Sequence, residues 1–152
     1  MSYEFQLSEV KAQPVLSIRT TTSVGSLPQE IGKAYGEIMR YLQELGEAPA
    51  DAPYVAYYNM DMENLDVEMG FPVAKKLSAK NSIQYNEIPA GKQVSCMYKG
   101  SYKDLAGPYD AMNQWMIEKG YVPTGIVYEF YYNSPGEVPE SELLTKIVFP
   151  VK

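Results

Sequence analysis

The sequence has 152 residues, a length typical of one ordinary domain. Its 45% hydrophobic and 21% charged residues are typical of a folded globular chain and argue against disorder. The formal net charge of −6, with only two arginines, disfavours a nucleic-acid partner because phosphate binding needs a basic surface. The absence of histidine excludes serine–histidine and cysteine–histidine catalytic pairs, and metal sites that need an imidazole.

The N-terminal segment has no signal-peptide pattern, and no apolar run is long enough to span a membrane. The single cysteine, Cys96, cannot form an internal disulfide, and its position within a predicted strand favours a buried, inert thiol. The sequence contains no phosphate loop, dinucleotide fingerprint or zinc motif. We therefore expect a cytoplasmic protein that uses no cofactor and no metal, and that contacts neither nucleic acid nor membrane.

The predicted elements begin with a β-branched strand over residues 14–22. A helix follows, because apolar residues recur at helical spacing from Leu27 to Leu45. Ser26 and Gln29 form a capping-box pattern at its start, and Gly46 is typical of a C-cap. After a turn rich in proline, residues 54–59 and 65–73 predict a hairpin.

The second half of the chain shows the same order of elements. Residues 92–99 predict a strand, residues 101–119 a helix, and residues 125–133 and 142–151 two further strands. The dipeptide Gly107-Pro108 is expected to delay or kink that helix. Residues 75–91 predict a linker with a short strand near residues 83–88.

A shift of 74 residues superposes the two halves, and a shift of 78 superposes their ends. The four extra residues fall in the loop 134–142, where insertions are expected. The matched positions are Tyr35 with Tyr109, Ile38 with Met112, Tyr41 with Trp115, Leu42 with Met116, Gly46 with Gly120, Tyr57-Tyr58-Asn59 with Tyr131-Tyr132-Asn133, Leu65 with Leu143, and Phe71-Pro72-Val73 with Phe149-Pro150-Val151.

These matches predict an α+β fold built from two tandem βαββ repeats. Repeat one covers about residues 12–74, residues 75–91 form the linker, and repeat two covers about residues 92–152. Because one such unit hardly covers its own apolar face, we expect the repeats to pack as a single pseudo-symmetric domain over residues 1–152. Both helices would then lie on one side of the sheets, with a central ligand cleft lined by aromatic residues.

Glu129 is the residue that points to a function. It lies in residues 126–132, which are otherwise apolar or aromatic, and burying an unpaired carboxylate is costly. Its repeat equivalent is Val55, which indicates what the scaffold places there for structure alone. A bound cation would supply the missing partner; a strand end or edge position facing water is the alternative.

Aromatic and methionine side chains are predicted to surround Glu129, from strand alternation and helical spacing. Aromatic faces attract cations and methionines adapt to differing shapes, although any one tyrosine is more often simply core. Glu68 is a weaker candidate, because its repeat partner Lys146 favours a solvated face. The predicted ligand-binding residues are Tyr35, Met39, Tyr57, Tyr109, Met112, Trp115, Glu129 and Tyr131.

The chain resembles the GyrI-like small-molecule-binding domain, which is also the effector-binding half of multidrug regulators of the AraC and MerR families. The resemblance rests on the tandem βαββ plan and on the segments DVEMGFPV (66–73), YEFY (128–131) and FPV (149–151). It implies a cleft for cationic amphipathic compounds, with Glu129 at its floor and tyrosines such as Tyr35, Tyr109 and Tyr131 as walls. It also implies a stand-alone member without the regulators' DNA-binding domain.

Three functions are compatible with these observations. The leading hypothesis is a small-molecule binder for cationic, planar aromatic compounds, acting in multidrug-type sensing, sequestration or toxin resistance. The alternative is a hydrolase with Glu129 as catalytic general acid or base, for which the family resemblance implies reactive cyclopropane-type genotoxins as substrates. The third is a protein-interaction module that acts on DNA gyrase, which rests on family analogy alone.

Overall fold

The computed structural model describes residues 3–152. Neither α-helix in this part of the chain combines the length and the apolar character needed to cross a lipid bilayer. The elements in chain order are β1 (Phe5–Val10), β2 (Gln13–Thr22), α1 (Leu27–Leu45), β3 (Tyr54–Tyr57), β4 (Leu65–Pro72), β5 (Gln84–Ile88), β6 (Gly91–Lys99), α2 (Ala106–Lys119), β7 (Val127–Tyr131) and β8 (Leu144–Pro150).

The chain divides into two compact units, each with one helix and four antiparallel strands. The first unit, Lys11–Ala90, has the strand order β3-β4-β2-β5, and α1 packs against β2 and β4. The second unit joins residues 3–10 to Gly91–Lys152; its strand order is β1-β6-β8-β7, and α2 packs against β6. The predicted α+β class is confirmed.

The first helix has the predicted ends but a different N-terminal cap. Both helices end at a left-handed glycine, Gly46 with φ 69° and Gly120 with φ 79°. The capping box at Ser26 is wrong, because the Ser26 side chain makes no capping hydrogen bond. Ser26 has helical backbone angles rather than the extended ones of a typical N-cap, and its N–H donates instead to Ser23 Oγ at 3.2 Å.

The second helix begins later than residue 101. A 3-10 turn, Tyr102–Asp104, comes first, and the Ser101 side chain accepts a hydrogen bond from the N–H of Lys103. Pro108 then lies in the first turn of α2, where its missing N–H removes no intrahelical bond. The expected delay is therefore observed: a short 3-10 turn occupies residues 102–104, and the α-helix begins at Ala106.

The strand β1 was not predicted, whereas the short strand near residues 83–88 is confirmed as β5. β1 runs antiparallel to β6, from Phe5 opposite Cys96 to Val10 opposite Gly91. Most of its side chains are exposed or half-buried, so the apolar alternation of a buried strand is weak. Its pairing partner lies about 80 to 90 residues away, which no local pattern reveals.

Each unit has its own apolar core. The repeat-equivalent pairs Ile38 with Met112 and Leu42 with Met116 are all at most 1% exposed, so the two copies bury the same helix face. The predicted burial of Cys96 is confirmed, and this burial raises the pKa of its thiol.

Candidate ligand-binding site

Glu129 lies in the middle of β7, on the face of the second-unit sheet that packs against α2. Strand alternation places Val127 and Tyr131 on the same face, and Ile147 of β8 is the cross-strand partner of Glu129. The residue is 5% exposed. The alternative that Glu129 faces water at a strand end or edge is therefore wrong, and its predicted burial is confirmed.

Two tyrosine hydroxyls donate hydrogen bonds to the Glu129 carboxyl group. Tyr131 lies two residues along the same strand and donates to Oε1 at 2.6 Å. Tyr109 of α2 donates to Oε2, and its ring packs edge-on against Phe149 with centroids 5.7 Å apart. A carboxylate has about four acceptor positions, so further donors can still be accommodated.

The electrostatic environment of Glu129 is unusual. Burial raises the pKa of its carboxyl group, and the hydrogen bonds from Tyr109 and Tyr131 only partly oppose this effect because they favour the charged form. Within residues 3–152, no lysine or arginine forms an ion pair with this carboxyl. Neutral donors therefore hold the group, and the described part of the chain supplies no cationic partner.

Tyr102 belongs to the same site, although the sequence analysis did not single it out. Its ring meets the Tyr131 ring edge-on at 5.9 Å, and the residue is 37% exposed. Burial and the nearby Glu129 charge both raise the pKa of the Tyr102 hydroxyl. Tyr102 lies in the 3-10 turn that the sequence assigned to a helix, and its place beside Tyr131 depends on that turn.

Thr145 of β8 lies on the same sheet face. It is the direct cross-strand partner of Tyr131 in β7 and of Tyr98 in β6. The residue is fully buried, and its Oγ1 has no hydrogen-bond partner within the described residues. Most buried polar side chains form a hydrogen bond, so this hydroxyl is an exception that can still pair with a bound molecule.

Of the predicted site residues in the second unit, the structure brings Tyr109, Glu129 and Tyr131 together. Met112 is fully buried in the core beneath them. Trp115 packs between two other rings, Phe5 at 5.7 Å and Tyr121 at 5.8 Å between centroids.

The remaining predicted residues, Tyr35, Met39 and Tyr57, belong to the first unit. The Tyr35 hydroxyl donates to the backbone carbonyl of Tyr54 at 2.9 Å, and its ring packs on Phe71 at 5.2 Å. Met39 packs against the first-unit core, and Tyr57 is half-buried in β3. Their role in ligand binding stays a prediction.

Glu68 corrects the expectation of a solvated face. It is 3% exposed, in β4, on the sheet face opposite α1. Tyr54 donates to its Oε2 at 2.8 Å and Tyr58 to its Oε1 at 2.6 Å. The comparison with Lys146 gave the wrong prediction because the hydrogen-bond donors to Glu68 are Tyr54 in β3 and Tyr58 just after β3. The repeat alignment does not reveal these contacts.

A protein cation lies beside the Glu68 group. The guanidinium of Arg19 stacks 3.7 Å from the centroid of the Tyr58 ring. Two hydrogen bonds of 2.8 Å to Asp66 hold this guanidinium in place. The first unit therefore contains a carboxyl, two tyrosine donors and a stacked cation. Among the described residues, the Glu129 group has a carboxyl and two tyrosine donors but no stacked protein cation.

A shallow groove of about 810 Å³ in the second unit lies apart from Glu129. Its lining includes Met97, Tyr132, Lys99 and Lys146. The charged residues in its lining are Glu4, Lys99 and Lys146, and Glu129 is not part of it.

The chain belongs to the family of GyrI-like small molecule binding domains, whose model matches residues 3–152. No curated protein matches it by sequence. Its fold is similar to that of EcmrR in the EcmrR–DNA complex in EcmrR-RPo, with a TM-score of 0.84 and 25% identity over 99% of this chain. The chain spans 57% of the length of that EcmrR chain. Against the EcmrR C-terminal domain the TM-score is 0.76 and the identity 24%, over 100% of this chain and 99% of that domain.

Two further solved structures share the fold at lower identity. A hydrolase from Listeria innocua has a TM-score of 0.72 and 12% identity, over 98% of this chain and 92% of that one. SAV2435 bound to tetraphenylphosphonium has a TM-score of 0.63 and 12% identity, over 98% of this chain and 94% of that one. Fold and family together define a small-molecule-binding domain.

Proposed function

We propose that this domain binds cationic, aromatic small molecules at Glu129, in multidrug-type sensing or sequestration. The observation that carries the proposal is a buried carboxyl group, 5% exposed, that has two tyrosine donors and no ion pair within residues 3–152. A carboxylate in this environment is destabilised relative to water, and a cation brought beside it restores the missing charge partner.

The surrounding rings favour an aromatic cation over a simple metal ion. Tyr109, Tyr131 and the half-exposed Tyr102 offer ring faces and edges beside the carboxyl. Each cation–aromatic contact contributes about 0.5–2 kcal/mol, and aromatic ligands add apolar burial. The same rings accept ligands of different shapes, because stacking imposes few directional demands.

The first unit offers an internal precedent for this recognition. There Arg19 places its cation on Tyr58, whose hydroxyl donates to Glu68. At Glu129 a ligand would take the place that the arginine occupies in the first unit. The fold-level likeness to SAV2435 bound to tetraphenylphosphonium supports the same ligand class, since that compound is a cation surrounded by aromatic rings.

A titration tests the proposal. Purified protein is mixed with aromatic ligands of matched size that are cationic, neutral or anionic, and binding is followed by tyrosine and tryptophan fluorescence and by calorimetry. Glu129→Gln should weaken the cationic ligands at least tenfold and change the neutral ligands by less than twofold.

Glu68→Gln is the matched control, because Glu68 is equally buried and also accepts two tyrosine hydrogen bonds. It should leave cation affinity within about twofold, since Arg19 is the cation beside it. Equal losses of cationic and neutral ligands in Glu129→Gln, or no loss at all, would remove the support for the proposal.

A hydrolase is the second candidate, favoured by the raised pKa of Glu129 next to tyrosine hydroxyls. Glu129 would take a proton from water while the resulting hydroxide forms a bond to a cyclopropane carbon. The strained carbon–carbon bond breaks, and its electron pair ends on the departing carbon, which receives a proton from a tyrosine hydroxyl. Glu129 then returns the proton taken from water to the tyrosine phenolate, so both groups are restored and the net change is the addition of one water. This chain also shares its fold with a Listeria innocua protein that is named a hydrolase, which is compatible with hydrolytic chemistry on this fold.

Mass spectrometry separates the two candidates. A hydrolase converts an activated cyclopropane into a product heavier by one water, repeatedly and only with Glu129 intact. Recovery of every ligand unchanged after binding favours the binder. A DNA gyrase partner and a cytoplasmic location stay predictions, and a pull-down from extract at near-physiological salt would test the former.

A further inference from the structure

The unpaired hydroxyl of Thr145 lies on the same sheet face as the Glu129 carboxyl. Thr145 is 0% exposed, and its Oγ1 has no hydrogen-bond partner among residues 3–152. A buried hydroxyl without a hydrogen bond destabilises a folded protein. Such a hydroxyl is either a destabilising feature with no function, or a group that forms its hydrogen bond when a ligand binds. The position of Thr145 beside the Glu129 group favours a role in ligand binding.

The strand register fixes where this hydroxyl lies. Thr145 is directly opposite Tyr131, and Glu129 is two residues from Tyr131 on the same strand. Thr145 and Glu129 are therefore diagonal neighbours on one face, roughly 7 Å apart at the backbone or a little more. A donor group placed between the two side chains could reach one oxygen on each side at ordinary hydrogen-bond distances of about 2.9 Å.

We propose that Thr145 is a specificity-determining residue of the Glu129 site, and that the site prefers cations carrying N–H groups, such as protonated amines and amidines, over quaternary ammonium and phosphonium ions. The proposal rests on the proposed function, because it concerns the ligand that Glu129 holds. One N–H donates to the carboxyl, which has acceptor positions beyond those used by Tyr109 and Tyr131. A second N–H donates to Thr145 Oγ1.

A quaternary cation has no N–H to offer. It gains the charge attraction of Glu129 and the aromatic contacts, but it leaves the Thr145 hydroxyl without a partner. Because Thr145 Oγ1 has no partner within residues 3–152 before binding, a quaternary cation leaves it unchanged, and the preference comes from the extra hydrogen bond that an N–H cation gains.

The test uses two probes that share one aromatic body and one positive charge at pH 7, 4-phenylbenzylammonium and its N,N,N-trimethyl derivative. Dissociation constants are measured for wild type, Thr145→Val, Thr145→Ser and Glu129→Gln. Valine keeps the shape of threonine without the hydroxyl, and serine keeps the hydroxyl. The readout is the ratio of the two dissociation constants, which cancels losses common to both probes.

In Thr145→Val the preference for the primary ammonium should fall about tenfold, the size of one charge-assisted hydrogen bond, while the trimethyl probe binds as before. Thr145→Ser should retain most of the preference. An unchanged ratio in Thr145→Val, with both probes still dependent on Glu129, overturns the role of Thr145 alone. Failure of both probes to bind wild type, or affinities unaffected by Glu129→Gln, overturns the proposed function and this inference with it.

Thermal unfolding without ligand supplies a second, independent measurement. Because the hydroxyl has no partner within residues 3–152 of the free protein, Thr145→Val should keep or raise the midpoint temperature. A midpoint lowered by several degrees would show that the hydroxyl is already paired in the free protein, and would overturn the proposal.

Discussion

The guanidinium of Arg19 lies 3.7 Å from the centre of the Tyr58 ring, and the hydroxyl of that same ring donates to Glu68. A single tyrosine thus contacts a cation with its face and a buried carboxyl with its hydroxyl. Asp66 fixes the cation, and its two hydrogen bonds with Arg19 raise the pKa of the guanidinium. This arrangement shows how the chain itself combines a cation, a tyrosine and a buried acid.

The Glu129 group has the same acid and tyrosines without that arginine. Its two donors, Tyr109 and Tyr131, come from a helix and from the strand itself. The difference between the two groups is a positive charge, which supports a cationic ligand at Glu129. It also makes Glu68 a suitable internal control for substitutions at Glu129.

The first prediction concerns the pH dependence of folding stability. Burial raises the pKa of Glu129 in the folded state above its ordinary value of 4.5. Between these two pKa values the folded protein binds more protons than the unfolded chain, so its stability falls as pH rises. The contribution of Glu129 is full below the ordinary pKa and is lost as pH rises through the folded one.

Glu129→Gln cannot titrate and should lack this component. The difference in unfolding free energy, wild type minus Glu129→Gln, is measured by urea denaturation between pH 4.5 and pH 8. We expect it to decrease as pH rises above 4.5 and to level off once pH exceeds the folded-state pKa, because the other carboxyl groups titrate in both proteins and cancel. A constant or rising difference would contradict the raised pKa.

The second prediction concerns the two tyrosine donors. Tyr109→Phe and Tyr131→Phe each remove a hydrogen bond that favours the charged carboxyl. Either change should raise the pKa of Glu129 further and lower stability by about 1–3 kcal/mol, because a buried acceptor loses its donor. The pH midpoint for binding of a cationic ligand should move upward in both variants.

Tyr41→Phe is the control for these variants. The Tyr41 hydroxyl donates to the backbone carbonyl of Ser78 at 2.7 Å rather than to a carboxyl group. It should lower stability by about 0.5–1.5 kcal/mol without moving the pH midpoint of ligand binding. A midpoint unchanged in Tyr109→Phe and Tyr131→Phe would argue against direct control of Glu129 by these hydroxyls.

The third prediction concerns close backbone packing between β2 and β4. A Cβ on Gly70 would clash with the carbonyl oxygen of Leu16 and lie 2.9 Å from Cβ of Ser17. Gly70→Ala should therefore cost about 1–3 kcal/mol, since backbone must shift to admit the methyl group. Gly36→Ala, in α1 with nothing within 4 Å of the new Cβ, should instead stabilise the protein by about 0.5–1 kcal/mol. Denaturant unfolding of both variants checks the contrast, and equal effects would contradict it.

The fourth prediction concerns the N-terminal strand. Phe5 of β1 packs on Trp115, the single tryptophan of the chain, with centroids 5.7 Å apart. Phe5→Ala should red-shift tryptophan emission and cost about 2–3 kcal/mol, because it removes a partly buried ring from the core of the second unit. Leu7 on the same strand is 37% exposed. Leu7→Ala should therefore lower the unfolding free energy by less than about 1 kcal/mol and leave tryptophan emission unchanged. Unchanged emission in Phe5→Ala would show that β1 does not cover Trp115.

The positions of the helices, most of the strands and the burial of Glu129 follow from the sequence. Helical spacing and terminal glycines are local signals, and they predicted α1 almost residue by residue. The duplication adds a second kind of evidence, because Val55 shows what Glu129 replaces. A carboxylate among apolar residues is conspicuous in the sequence, so Glu129 can be identified as the central residue of the candidate site from the sequence alone.

The partners of that residue needed the tertiary structure. Tyr109 is 20 residues from Glu129, and Thr145 faces Tyr131 only through the register of β7 with β8. Register is set by pairing between distant segments, and a slip of one residue would turn every side chain to the other face. For the same reason the sequence predicted a solvated Glu68 and did not predict β1. The difference between Glu68, which has a stacked arginine beside it, and Glu129, which has no protein cation among the described residues, could be seen only in the folded chain.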